Sequence, residues 1–266
     1  MGLRYRLLAL DLDGTILDFK LRLDPRDVVA LDRIRQAGVT VIATTGRPFP
    51  GALPWAQRLG LDGPIICYQG AQVRMPDGST MLDHGVPHGL AMEVIRYARE
   101  HDLHVQAYRN DELLVERDRP EAHWYADHAG MEIHLVPDLD GAMGPTTPKL
   151  VIVAEAVMLE RILPEVRRMW QGRLNVATST PDYLEFTSIN SDKAGALSFL
   201  SGRLGVRQDQ VAAAGDGRND ASMLQWAGLG VAVEGSQPEV VAAARNHTIA
   251  PPGHGGIDQL AEMLLS

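Results

Sequence analysis

Leu7-Leu8-Ala9-Leu10-Asp11-Leu12-Asp13-Gly14-Thr15 is an apolar run that breaks into two carboxylates and a glycine. Four apolar residues closed by turn formers read as a buried strand, and Gly14 ends it in a conformation that other residues avoid. Asp11 and Asp13 stand one residue apart at that end. Such a pair can hold a hard cation, attack an electrophile or pass protons, and it can equally be a polar turn whose short side chains bond the local backbone.

Working outward, Asp24-Pro25 supplies an N-cap and a first-turn proline for a helix with Val28, Leu31 and Ile34 at helical spacing, ended by Gly38. Val39 to Ala43 then reads as a second buried strand, rich in β-branched residues. Strand, helix, strand in this rhythm is a βαβ unit, which predicts a parallel sheet with a right-handed crossover. The second strand ends in Thr44-Thr45-Gly46-Arg47. Ligands of open α/β sheets bind beyond the carboxyl ends of strands, so the two polar ends should lie side by side. A helix around Trp55 to Leu59 and a strand from Pro64 to Tyr68 follow. Gln69 to Val73 and Thr80 to Leu82, around the turn Met75-Pro76-Asp77-Gly78, read as a hairpin.

From Asp83 a second small α/β unit is expected. It has a helix carrying Leu90, Val94, Tyr97 and Ala98, strands near Leu103 to Ala107 and Glu112 to Glu116, a helix at Glu121 to Ala129 and a strand near Met131 to Leu135. A loop is expected over Pro137 to Pro148, then a strand Lys149 to Ala154, a helix Leu159 to Trp170 and a closing strand Tyr183 to Thr187. The last portion returns to the first rhythm: a helix Lys193 to Leu204, a strand Val211 to Ala214, and then Gly215-Asp216-Gly217-Arg218-Asn219-Asp220. The simplest organisation is a discontinuous core, residues 1–82 and 188–266, with residues 83–187 inserted.

Composition narrows the function classes. The 266 residues carry a net charge of −9 with a pI near 5.4, which argues against a nucleic-acid backbone or an anionic membrane as the main partner. One cysteine, Cys67, excludes an intramolecular disulfide framework and suits a reducing compartment. Asp11 interrupts the N-terminal apolar run too early for a signal peptide, and no stretch is long enough to span a bilayer. A soluble cytoplasmic protein is expected.

Three strand ends thus carry polar clusters. Asp11, Asp13 and Asp216, with Asp220 one helical turn later, form a credible magnesium site, because that ion favours carboxylates, water and phosphate oxygens. Thr45 and Gly46 offer a hydroxyl and unobstructed amides at a helix start, where phosphate is well held. Lys193 in a first helical turn opposes the helix dipole, a poor structural choice and a better functional one. In the insertion, Arg109, Lys149 and the Pro145 to Pro148 loop are candidates to face a ligand but read first as surface. His101, His104, His123, His128 and His134 match no metal-ligand spacing.

Asp11-Leu12-Asp13-Gly14-Thr15, Thr45-Gly46-Arg47, Lys193 and Gly215 to Asp220, taken in order, resemble the four motifs of the haloacid dehalogenase superfamily. The likeness is strongest to its Cof-type sugar phosphatases, where a stretch similar to Ile66-Cys67-Tyr68-Gln69-Gly70-Ala71 leads into a large α/β cap. The resemblance implies a Rossmann-like doubly wound α/β core with an inserted α/β cap domain, and a magnesium-dependent phosphatase of small phosphorylated metabolites, monomeric or weakly dimeric. It further implies Asp11 as the nucleophile forming an aspartyl-phosphate, Asp13 as general acid and base, and Lys193 as a catalytic cation. Thr45, Gly46, Arg47 and Lys193 would bind the phosphoryl group, Lys193 also offsetting the charge of Asp11, and Asn219 would touch phosphate or Lys193. Asp216 would hold magnesium with Asp11 and the backbone carbonyl of Asp13, while Asp220 supports the metal waters. Arg218 departs from the less charged residues usual there. Two other readings stay open: a phosphotransferase or mutase, and a non-catalytic sensor of phosphorylated ligands.

Overall fold

The computed structural model describes residues 3–266, with the backbone alone at Ser179. β1 (Leu7–Asp11) is buried throughout. The Asp24 carboxylate caps α1 (Pro25–Gln36) by accepting the N–H of Arg26 at 2.9 Å, and Pro25 sits where a helix has no use for an N–H. β2 (Thr40–Thr44) runs parallel to β1 with Asp11 opposite Thr44. The chain continues through α2 (Phe49–Arg58), β3 (Ile65–Cys67), β4 (Gln72–Arg74) and β5 (Thr80–Asp83).

After β5 come β6 (Val86–Pro87), α3 (His88–Glu100), β7 (His104–Arg109), β8 (Glu112–Val115), α4 (Pro120–Ala129), β9 (Ile133–Leu135) and α5 (Leu139–Ala142). They are followed by β10 (Thr146–Thr147), β11 (Leu150–Val153), α6 (Ala156–Met169), β12 (Leu174–Thr180) and β13 (Tyr183–Ser188). The chain closes with α7 (Lys193–Arg203), β14 (Val211–Gly215), α8 (Ala221–Trp226), β15 (Leu229–Val233), α9 (Pro238–Ala243), β16 (Thr248–Ile249) and α10 (Gly256–Leu265).

Two compact units result. The first holds the described residues up to Gly46 with Ala52–Met81 and Asp192–Ser266, and the second Arg47–Gly51 with Leu82–Ser191. The first is built on an eight-stranded sheet in the order β16-β15-β14-β1-β2-β3-β4-β5. From β16 to β3 its neighbours pair in parallel, and β4 turns back antiparallel on β3. The α/β class and parallel sheet expected from the βαβ rhythm are therefore present. β1, β2 and β14, the three strands that end in polar clusters, are adjacent.

The second unit has a six-stranded sheet in the order β12-β13-β11-β7-β8-β9. Alternation along its strands sorts the side chains: Val105, Ala107, Leu150, Ile152, Leu184 and Phe186 form an apolar core with residues of α3 and α6. His104, Gln106, Tyr108 and Glu185 occupy the alternate positions and are also buried.

Three local expectations are corrected. The helix expected around Trp55 to Leu59 begins at Phe49 and runs through Pro54. Pro50 falls in its first turn, where a missing N–H is harmless. The segment Pro137 to Pro148, expected as a loop, contains α5 and β10, both too short to show a period. β12 was not expected. Among the described residues it is an edge strand whose one partner is β13, so its outer residues can be polar and the alternation is faint.

Candidate functional site

Asp11 ends β1 with 4% of its surface exposed. Beyond it the chain coils tightly, the Leu12 carbonyl accepting the N–H groups of Ile16 at 3.1 Å and Leu17 at 2.8 Å. Gly14 has φ +84°, and a Cβ there would stand 2.3 Å from Asp216 Oδ2. Glycine is thus demanded twice, by backbone and by space. Thr15 Oγ1 donates to Asp216 Oδ1 at 2.9 Å, fastening the first strand end to the last.

Lys193 opens α7, whose N-cap Asp192 accepts the N–H of Gly195 at 2.9 Å. Its side chain is buried, and Nζ donates to Asp11 Oδ1 at 2.6 Å and Asp220 Oδ1 at 2.5 Å. The other oxygen of Asp220 accepts the N–H groups of Asp216 at 3.1 Å and Gly217 at 2.9 Å. Asp11, Asp216 and Asp220 bring carboxylate oxygens within 4.8 Å of one another. The side chain of Asp13, half-buried on the turn, is outside that group, which leaves its backbone carbonyl to any part it takes in holding a cation.

The electrostatics follow from burial. Removal from water raises the Asp11 carboxyl well above the ordinary range, and the neighbouring Asp220 raises it further, while Lys193 opposes both. Burial, then Asp220, pushes Asp216 up to about 6. Burial alone would discharge Lys193, but Asp11 and Asp220 more than offset that and hold it charged. Three clustered carboxylates facing one ammonium are short of positive charge. Hard oxygen donors with that deficit suit a divalent cation.

On the adjoining strand end, Thr45 is buried, its N–H donating to the Ile66 carbonyl at 2.8 Å and its carbonyl accepting the N–H of Gln69 at 3.2 Å. Gly46 lies against the Gln69 amide, since a Cβ on Gly46 would fall 2.4 Å from Gln69 Nε2. Asn219 Nδ2 donates to Gln69 Oε1 at 2.8 Å. Asp11, Thr45, Gly46, Lys193, Asp216, Asn219 and Asp220 therefore meet within the first unit, whereas Arg47 is grouped with the second. Arg218 pairs with Glu239 at 2.7 Å, both exposed. Thr15 and Gln69 stand in the quoted motifs without a role of their own, although each borders a glycine at a strand end.

The second unit corrects one expectation and refines others. Lys149, read as surface, is 2% exposed and pairs with Glu185 at 2.9 Å. Arg109 is exposed and donates to the Ala142 carbonyl. His104 is buried beside Gln106, while His101 meets the Tyr97 carbonyl and His123 meets Asp118.

Residues 8–258 match the family described as haloacid dehalogenase-like hydrolase. Among curated proteins, an HMP-PP phosphatase of Serratia proteamaculans is 27% identical over 89% of this chain and 86% of its own. The pyridoxal phosphate phosphatase YbhA of Escherichia coli is 29% identical over 98% of both. Among solved structures, a haloacid dehalogenase-like hydrolase from Bacteroides thetaiotaomicron superposes with a TM-score of 0.88 at 30% identity, over 97% of this chain and 99% of the other.

Proposed function

The chain belongs to the haloacid dehalogenase-like hydrolase family, and from that premise we propose that it is a phosphatase of small phosphomonoesters that works through an aspartyl-phosphate on Asp11. The observation that carries this reading is the buried Lys193, which bridges Asp11 and Asp220 beside Asp216 at the ends of adjacent parallel strands. A structural ion pair would need one carboxylate; Lys193 bonds two, and with Asp216 beside them the cluster is short of positive charge.

Asp11 attacks phosphorus as a carboxylate, forming the acyl-phosphate bond as the bond to the leaving oxygen breaks. Asp13 gives its proton to the departing alkoxide, then takes one from the water that hydrolyses the intermediate. Lys193 holds Asp11 in place and offsets its charge as the anionic phosphoryl group approaches. Thr45 supplies its hydroxyl, Gly46 its backbone amide, and Asn219 a further donor to the phosphoryl oxygens. Asp11, Asp216 and the Asp13 carbonyl would hold a magnesium ion, with Asp220 in support, and such an ion would supply positive charge to the site. Residues 83–187, the inserted α/β unit, select the small phosphorylated metabolite, a sugar phosphate or a compound of similar size. The single buried cysteine suits a cytoplasmic enzyme.

The test is a panel of sugar phosphates, pyridoxal phosphate and p-nitrophenyl phosphate assayed with magnesium, wild type beside Asp11→Asn. Removal of a nucleophile is expected to cost about 10⁴-fold or more in kcat, with the fold retained. Full activity in the variant would overturn the mechanism, and tight binding without turnover by the wild type would favour the sensor.

A further inference from the structure

Tyr68, Gln69 and Gly70, between β3 and β4, have φ of +52°, +60° and +87°. Three consecutive residues in the left-handed region are a costly backbone for side chains larger than glycine, and such strain persists only where the surroundings impose it. The surroundings here are three loops of the proposed site. The Gln69 N–H donates to the carbonyl of Thr45. Its side-chain amide lies against Gly46, occupying the space that a Cβ on that residue would need, and its Oε1 accepts from Asn219 Nδ2 at 2.8 Å. Gly70 presses on the start of α7, where a Cβ would come 2.3 Å from the Asp192 carbonyl oxygen and 2.8 Å from Lys193 N. One turn thus touches the chain segments that carry Thr45, Asn219 and Lys193.

We infer that Gln69 is a positioning residue for the phosphoryl pocket, acting through Asn219 and Gly46. An Asn side-chain nitrogen carries two N–H groups. The bond to Gln69 uses one and fixes the plane of the amide, so the direction of the other is set as well. The inference rests on the phosphatase reading, because it assigns Asn219 a phosphoryl contact.

Gln69→Met keeps the length of the side chain over Gly46 and removes the amide oxygen. With p-nitrophenyl phosphate as substrate and inorganic phosphate as inhibitor, it is expected to raise both KM and the inhibition constant about tenfold, the worth of a hydrogen bond to a charged ligand. kcat should change less, and the melting temperature should stay within a few degrees. Because Gln69 acts through Asn219, the double variant with Asn219→Ala should be no worse than Asn219→Ala alone. Multiplying effects in the double variant, or an unchanged inhibition constant in Gln69→Met, would overturn the inference while leaving the phosphatase standing. A wild type that neither hydrolyses p-nitrophenyl phosphate nor binds phosphate would instead remove the reading beneath it. Gln69→Ala carries the same cycle if the thioether fails to pack.

Discussion

Gly14 shows how little freedom the site leaves a single residue. Its φ of +84° disfavours every L side chain, and the space where a Cβ would go is filled by the Asp216 carboxylate. Gly14→Ala should therefore act in two ways. The left-handed backbone costs roughly 1–2 kcal/mol, to be read from urea unfolding. The displaced Asp216 should also lower affinity for magnesium, so that the rise in melting temperature on adding the ion is largely lost. Wild-type magnesium stabilisation in Gly14→Ala would mean that Asp216 is not a ligand. Asp11 and Lys193 illustrate the complementary case, side chains whose roles depend on each other. Both residue types were visible in the sequence, but their 2.6 Å contact joins positions 182 apart along the chain.

Among the elements, the strands of the second unit divide their alternate residues between an apolar face and a buried polar one. Lys149 and Glu185 meet on the latter, with the Lys149 ammonium 5.9 Å from the ring centres of Tyr108 and Tyr125. Burial disfavours the Lys149 ammonium, yet Glu185 and then Tyr125 raise its pKa above that of a free lysine. Glu185→Leu would strand that charge, and a loss of about 3–5 kcal/mol is expected in denaturant unfolding. Lys149→Met together with Glu185→Leu should recover most of it, since a packed apolar pair avoids the desolvation that the ions incur. A double variant as unstable as the single one would show that the loss comes from packing rather than charge. From the sequence Lys149 looked like surface, because the charge that partners it lies on another strand, 36 positions away. α2 was legible only in part for a related reason: its prolines lower local propensity, and tertiary packing outweighs propensity.

Across the whole molecule, stability and metal binding should be linked through pH. Asp216 titrates near 6 in the fold against 3.8 for a free carboxyl. Between those values the folded chain keeps a proton that the unfolded chain has released. The metal-free protein should therefore lose stability as pH rises through that window. Magnesium needs the carboxylates ionised, so it should bind better as the proton leaves. The rise in melting temperature caused by magnesium is expected to grow from pH 5 to pH 7, as measured by calorimetry with and without the ion. An equal rise at both values would separate the metal from Asp216.

The order of apolar runs, turn formers and carboxylates determined the parallel α/β core by itself, because strand and helix periods, caps and glycine punctuation are local properties of the chain. The polar ends of β1, β2 and β14 were legible for the same reason, and the parallel topology implied their convergence. Only the tertiary structure decided that Lys193 is buried between Asp11 and Asp220, that Thr15 and Gln69 belong beside the site, and that Lys149 is an interior charge. A side chain's burial and partners depend on residues far away in sequence, and no local pattern records the distance across which two charges will meet.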